Sequence, residues 1–439
     1  MSWLLSEPEA SRRQYATRWM KFTSGETGSA SIPSGGSILT PFSGEAGGLY
    51  ARRGSLMAAR SDKRPTHRGS ASTPLMWQRT LSGSVRKRRR HCWLPASSGS
   101  DGSRRVSDIQ TLLETLLAEL TGGPVEVANA VRLSGGATRE TWAFDVTVGR
   151  ERDPLPAVFQ SAVSEDLLFG EGRSLEFEVL QAAQRMGVPV PPPLWHSRLP
   201  DGRSFTITGR IEGEVLGSKV VKLESLRAAR LRLPVQLAAA LARIHSILPS
   251  QTDLDLRAPA PDELPSLSEL RRFELAYRRC TPNPHPVIEL ALRWLASHLP
   301  PCPRISLVHG DFRVGNFIVT PAGLAAVLDW ELAHWGDPLE DLGWMLVRSW
   351  RFGSPLQAGG LCTSEELIDA YERFAHSQVD RDAVEYWKVF GNLRWAILTI
   401  KQMSRHLLGQ EKSMELASLG RRTAEAEWEL LNLIETRPD

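Results

Sequence analysis

Cysteine is scarce in this chain: four residues (Cys92, Cys280, Cys302 and Cys362) lie far apart among 439, with no CxxC pair. That excludes a disulfide framework and a cysteine-based zinc site, and it suits a reducing compartment, so the cytoplasm is the expected location. No stretch approaches the roughly 18 to 20 consecutive apolar residues that cross a bilayer. A transmembrane helix is therefore not expected. No segment recurs at a fixed period, which argues against a solenoid or an array. Acidic residues are rare at the N-terminus. Residues 1–105 carry 18 Lys or Arg against 6 Asp or Glu, while the remainder carries 35 against 44. The formal charge of +3 thus hides a basic leader joined to an acidic body.

The leader also lacks any sustained apolar period. It holds 19 serines and the run VRKRRR, so it has little to offset the entropy of ordering and is expected to be disordered. Three readings stand for it: a targeting segment, a basic arm for nucleic acid, or an extension that adds nothing to the fold. With no interleaved aromatic platform or recognition helix, nucleic-acid binding would rest on the leader alone.

From Val106 the pattern changes. VSDIQTLLETLLAEL repeats apolar residues at helical spacing behind a Ser/Asp cap. VEVANAVRLSGGATRETWAFDVTV then reads as strand, glycine turn and strand, LPAVFQSAV as a third strand, and SLEFEVLQAAQRMG as a helix stopped by Gly187 and a proline-rich stretch. SFTITGRIEGEV reads as further strand. Beyond Val215 the periodicity is mainly helical. The expected organisation is a leader (1–105), a sheet-rich N-lobe (106–214) and a larger helical C-lobe (215–439). A cleft between two such lobes is a common place for a small-molecule site.

Within the helical lobe NFIVTPAGLAAVLDWE reads as strand, turn and strand. An antiparallel hairpin brings Asn316, at the start of one strand, beside Asp329, at the end of its partner. Together they offer two hard oxygen ligands of the kind Mg²⁺ accepts while phosphates and waters complete its shell. Asp311 precedes Asn316 by five positions, the Asp-to-Asn interval of the protein-kinase catalytic loop.

VHGDFRVGNFIV followed by VLDWELAHWGDPLEDLGW resembles the aminoglycoside phosphotransferase family of kinase-like small-molecule phosphotransferases. LSGGATRETW and GRRTAEAEW are similar to the branch also found fused to acyl-CoA dehydrogenase-like domains. The resemblance covers about 106–439 and implies a two-lobed, protein-kinase-like α+β fold. It implies ATP and Mg²⁺ as cofactors and the hydroxyl of a small molecule as phosphoryl acceptor. Asp311 would orient and deprotonate that hydroxyl, and Asn316 and Asp329 would hold magnesium. His309 would brace the loop, and Arg313 would either face substrate or pair with an acid. Gly135, Gly136, Ala137 and Thr138 would cover the phosphates. His245, apolar-flanked, reads as a core histidine. Glu340 and Asp341 suit substrate contact or capping equally, and GNLRW fits the core better than an acceptor pocket.

The chain departs from the family pattern at the third strand, where a cation usually pairs nucleotide phosphates with a helix glutamate. Gln160 stands there, with Glu176 as the apparent helix partner and Arg139 as the nearest alternative cation. A nucleotide-binding pseudokinase that serves as a partner module is the rival reading. If the leader contributes no packed face, deleting residues 1–105 should leave the melting temperature nearly unchanged. A drop of several degrees would show that it packs.

Overall fold

The computed structural model describes residues 100–133, 139–149, 153–162, 173–281 and 283–436, all within one unit, Arg88–Asp439. Helix α1 (Ser100–Thr121) begins six residues before Val106 and buries Ile109, Leu113, Leu116 and Leu117, positions spaced to share one face. That face packs on a five-stranded antiparallel sheet of order β1-β2-β3-β5-β4: β1 (Val125–Arg132), β2 (Arg139–Val148), β3 (Leu155–Ala162), β4 (Pro193–Arg198) and β5 (Ser204–Gly209). Trp142, Phe144, Ala157, Phe159, Phe205 and Ile207 form the core beneath α1. Strand alternation then turns Thr141, Gln160 and Thr206, which are directly paired across β2, β3 and β5, to the opposite face.

β4 starts inside the proline-rich stretch that reads from sequence as a helix stop. Its place at the sheet edge explains the prolines, because an edge strand can do without one ladder donor. α2 (Arg173–Arg185) lies between β3 and β4 in sequence.

The C-lobe is built from α3 (Leu233–Ile244), α4 (Pro265–Cys280), α5 (Pro286–Ser297), α6 (Leu339–Met345), α7 (Ser364–Ala375), α8 (Arg381–Leu407) and α9 (Thr423–Glu435). Caps fix several starts. Asp380 accepts from the N–H groups of Asp382 and Ala383, and Thr363 with Glu366 forms a capping box.

Two small sheets interrupt the helices, one more than the sequence suggests. β6 (Ser306–Val308) pairs with β9 (His334–Gly336), and β7 (Phe317–Thr320) pairs with β8 (Gly323–Val327) in the expected hairpin. The hairpin is tethered around its turn. Arg232 donates to the carbonyls of Pro321 and Ala322 at its tip, and Gln236 accepts from Leu324 N–H. Glu214, on the connection between the lobes, exchanges two backbone hydrogen bonds with Val319 at 2.8 and 2.9 Å. The connection is thereby fastened to the strand that begins just after Asn316.

α6 and α8 cross where each carries a glycine. A Cβ on Gly343 would stand 2.5 Å from the backbone and Cβ of Trp387, and one on Gly391 would stand 2.7 Å from Val347. This close approach lets α8 reach the loop after β6. Gly343→Ala should cost about 1–3 kcal/mol by overpacking, measured as a lower denaturant midpoint. An unchanged midpoint would show that the crossing is slack.

Candidate active site

The loop from Val308 to Asn316 is held by a buried carboxylate 31 and 32 residues beyond the two backbone groups it binds. Asp341, fully buried on α6, accepts His309 N–H on Oδ2 at 2.8 Å and Gly310 N–H on Oδ1 at 2.9 Å. The same Oδ2 meets His245 Nε2 at 3.1 Å, and the other ring nitrogen of His245 meets the Tyr371 hydroxyl at 2.8 Å. His245 is thus a satisfied core histidine that supports the clamp. Burial alone would push the Asp341 carboxyl up, but the hydrogen bonds it receives from the His245 side chain and the His309 backbone N–H hold it below the usual carboxylate range. Asp341 sits beneath the loop as part of its frame.

Gly310 needs its missing side chain: its φ is 79°, and a Cβ would lie 2.4 Å from the Leu332 carbonyl. His309 bridges the loop and the hairpin. Its Nδ1 accepts from Asp311 N–H at 3.0 Å while Nε2 donates to the Leu328 carbonyl at 3.0 Å, a neutral tautomer. Its ring also packs on Trp330, 4.4 Å between centroids.

Asp311 is nine-tenths buried with both oxygens engaged. Oδ1 accepts from Arg313 Nε at 3.0 Å and from Trp344 Nε1 at 2.7 Å, and Oδ2 accepts from Asn316 Nδ2 at 2.6 Å. Arg313 therefore pairs with an acid, Asp311 itself, and its guanidinium lies 4.5 Å over the Trp350 ring. Asn316 Nδ2 also donates to the Asp311 carbonyl at 3.0 Å. With the amide nitrogen so occupied, the carboxamide oxygen of Asn316 is the atom left for a cation.

Across the hairpin Phe317 pairs with Val327, and Leu328 N–H donates to the Asn316 carbonyl at 2.8 Å. Asn316 and Asp329 accordingly sit at adjoining strand ends. Asp329 adopts φ 67°, the left-handed region that Asp tolerates better than most side chains. A carboxamide oxygen and a carboxylate are hard donors that fit Mg²⁺ in type.

On the N-lobe side, Gln160 is half-buried on the sheet face away from α1, and Glu176 is buried on α2. Arg139 opens β2 opposite Ala162, but its side chain lies outside the described residues, as do Gly135, Gly136, Ala137 and Thr138.

Two residues beside Asp311 escape sequence reasoning. Trp344 is one, and Arg394, 1% exposed on α8, is the other. Arg394 donates to the Gly310 carbonyl and to Glu340 Oε1 at 3.1 Å, with its guanidinium 4.2 Å over the Trp344 ring. GNLRW therefore does not line a pocket through Arg394; this arginine ties α8 to the loop. Glu340 also meets His334 at 3.2 Å, and Glu269 beside them pairs with Arg257 and Arg272. Glu269, His334 and Glu340 bring ligand atoms within 4.8 Å of one another, but three arginines already compensate the two carboxylates.

A five-stranded N-lobe, a helical C-lobe and an Asp/Asn/Asp hairpin constellation define a two-lobed, kinase-like α+β protein. Residues 130–387 match the phosphotransferase enzyme family, and the chain belongs to that family. It is 21% identical, with a TM-score of 0.56, to a Ralstonia eutropha protein assigned to the aminoglycoside phosphotransferases, over 73% of this chain and 98% of that one. The GDP complex of wild-type aminoglycoside 2'-phosphotransferase-IIIa aligns with a TM-score of 0.50 at 15% identity, over 74% and 99%. Among curated proteins, mouse acyl-CoA dehydrogenase family member 10 is 30% identical over 275 residues, 58% of this chain and 25% of that protein. Human family member 11 is 26% identical over 251 residues, 54% of this chain and 32% of that protein. The chain spans only about a quarter to a third of these relatives' length.

Burial holds the His309 imidazole below its ordinary value, and the charges of Asp341, Asp311 and Asp329 oppose that without overcoming it. An unfolded histidine binds its proton near pH 6.5, so below that pH the unfolded chain takes up more protons and stability falls. Asp337, pushed up to about 6 by burial, acts in the opposite direction as pH drops through 6. The informative quantity is thus the stability difference between wild type and His309→Gln. It should shrink from pH 7 to pH 5 in urea titrations, and a constant difference would show that His309 titrates normally.

Proposed function

We propose that the chain transfers the γ-phosphoryl group of ATP, bound with Mg²⁺, to a hydroxyl of a small molecule. The observation that carries this reading is the fixed Asp311 carboxylate, hydrogen-bonded to Asn316 at 2.6 Å beside the hairpin end that bears Asp329. Phosphoryl transfer asks of a protein mainly position and opposing charge; this arrangement supplies position directly and opposing charge only through the magnesium it would hold. Asp311 accepts the hydroxyl proton while the acceptor oxygen forms a bond to the γ-phosphorus. The bond from that phosphorus to the β–γ bridging oxygen breaks, and ADP leaves with it. Asn316 and Asp329 hold the magnesium, which when bound offsets phosphate charge. Gly135, Gly136, Ala137 and Thr138 cover the phosphates, with Arg139 as the N-lobe cation.

Aminoglycosides are polycationic and would suit the acidic body, but a shared fold does not fix the acceptor. The three described cysteines, Cys280, Cys302 and Cys362, are free thiols, in keeping with a cytoplasmic location.

A second reading, a nucleotide-binding pseudokinase, is favoured by Gln160, which brings no charge to the sheet face where a phosphate-pairing cation belongs. The two readings part on turnover. Asp311→Ala should lower phosphoryl transfer by ~10²- to 10⁴-fold while leaving MgATP binding intact. Asp329→Ala should abolish the Mg²⁺-dependent part of ATP thermal stabilisation. Wild type that binds MgATP without releasing ADP, against any hydroxyl compound tried, would favour the pseudokinase.

A further inference from the structure

An aspartate used as a base must present one oxygen in a fixed direction, yet its terminal torsion is soft and roughly two-fold. Two donors restrain Oδ1 of Asp311, and they differ in stiffness. Arg313 is a long side chain, a quarter exposed, and loses much rotamer freedom in holding any one geometry. Trp344 is 2% exposed and closely packed. The Arg394 guanidinium covers its ring at 4.2 Å, Trp350 packs on it with centroids 5.2 Å apart, and the missing side chain of Gly391 admits its six-membered ring. Its Nε1–H reaches Asp311 Oδ1 at 2.7 Å. α6 is in turn joined to the loop through Asp341, and α8 through Arg394.

We propose that Trp344 is a positioning residue for phosphoryl transfer, its indole N–H locking the Asp311 carboxylate so that Oδ2 is the oxygen that receives the acceptor's proton. The proposal rests on the phosphotransferase reading. Nothing in the spacing of the catalytic loop reveals it, because the donor lies 33 residues away on another element. Trp344→Phe is the appropriate change, since it removes the N–H while keeping an aromatic ring beneath Arg394.

The test uses the full chain and MgATP with water as acceptor, followed by ADP release, so that no acceptor need be known. Trp344→Phe should lower kcat about tenfold, the effect of one lost hydrogen bond to a charged group, with KM for ATP within about twofold of wild type. In an Asp311→Ala background the same change should cost nothing further, because Trp344 acts only through Asp311. Trp428→Phe, at a 65% exposed position, is the control and should leave kcat unaltered. An unchanged kcat in Trp344→Phe, or an equal loss in both backgrounds, would overturn the proposal.

A second readout is independent of turnover. The Trp344 indole resonance, identified by its disappearance in Trp344→Phe, should shift and exchange faster with solvent in Asp311→Ala. A resonance indifferent to Asp311→Ala removes the contact and overturns the proposal by itself. Wild type that releases no ADP with water or with any hydroxyl compound tried, but keeps an Asp311-dependent indole resonance, would instead overturn the phosphotransferase reading, and the catalytic role of the contact with it.

Discussion

The buried carboxylate of Asp341 gathers two consecutive backbone N–H groups, those of His309 and Gly310, at the point where β6 ends and the loop begins. A charge so deeply buried is stable only when fully hydrogen-bonded, and His245 completes its shell. The direction in which Asp311 leaves the chain follows from that clamp. So does the path to Asn316, because His309 connects the clamped backbone to the Leu328 carbonyl on the hairpin.

Around the clamp the chain replaces flexible contacts with stiff ones. A glycine on each of α6 and α8 lets the helices meet closely, and that meeting lets Arg394 reach the Gly310 carbonyl. Burial lowers the proton affinity of Arg394, while Glu340 and Asp311 oppose this by their charge. The glutamates and arginines behind the loop therefore act as one compensated network. Its consequence is a fixed Asp311 carboxylate, the preorganised form that the proposed base requires because little then needs to reorganise during reaction.

The parts of this site legible in the sequence are those set by local spacing. Five residues from Asp311 to Asn316, and a TPAG turn that returns Asp329 to Asn316, need only hairpin geometry. The parts that are not legible join distant elements. Trp344, Asp341 and Arg394 contact the loop across 31 to 84 residues, and nothing local marks a tryptophan or an arginine as a partner of a particular aspartate. Fold reading failed in a similar way. β4 hides among prolines that only its edge position permits. β6 and β9 are three residues each, too short to show a period.

The measurement that bears most directly on the central claim, that the Asp311, Asn316 and Asp329 constellation binds a metal-nucleotide complex, is paramagnetic broadening by Mn²⁺ of assigned side-chain amide and indole resonances. The account predicts that Mn²⁺ with ATP broadens the Asn316 carboxamide and Trp344 indole signals selectively, while the exposed Trp428 indole stays sharp. Broadening centred elsewhere, or none at these residues with nucleotide saturating, would contradict it.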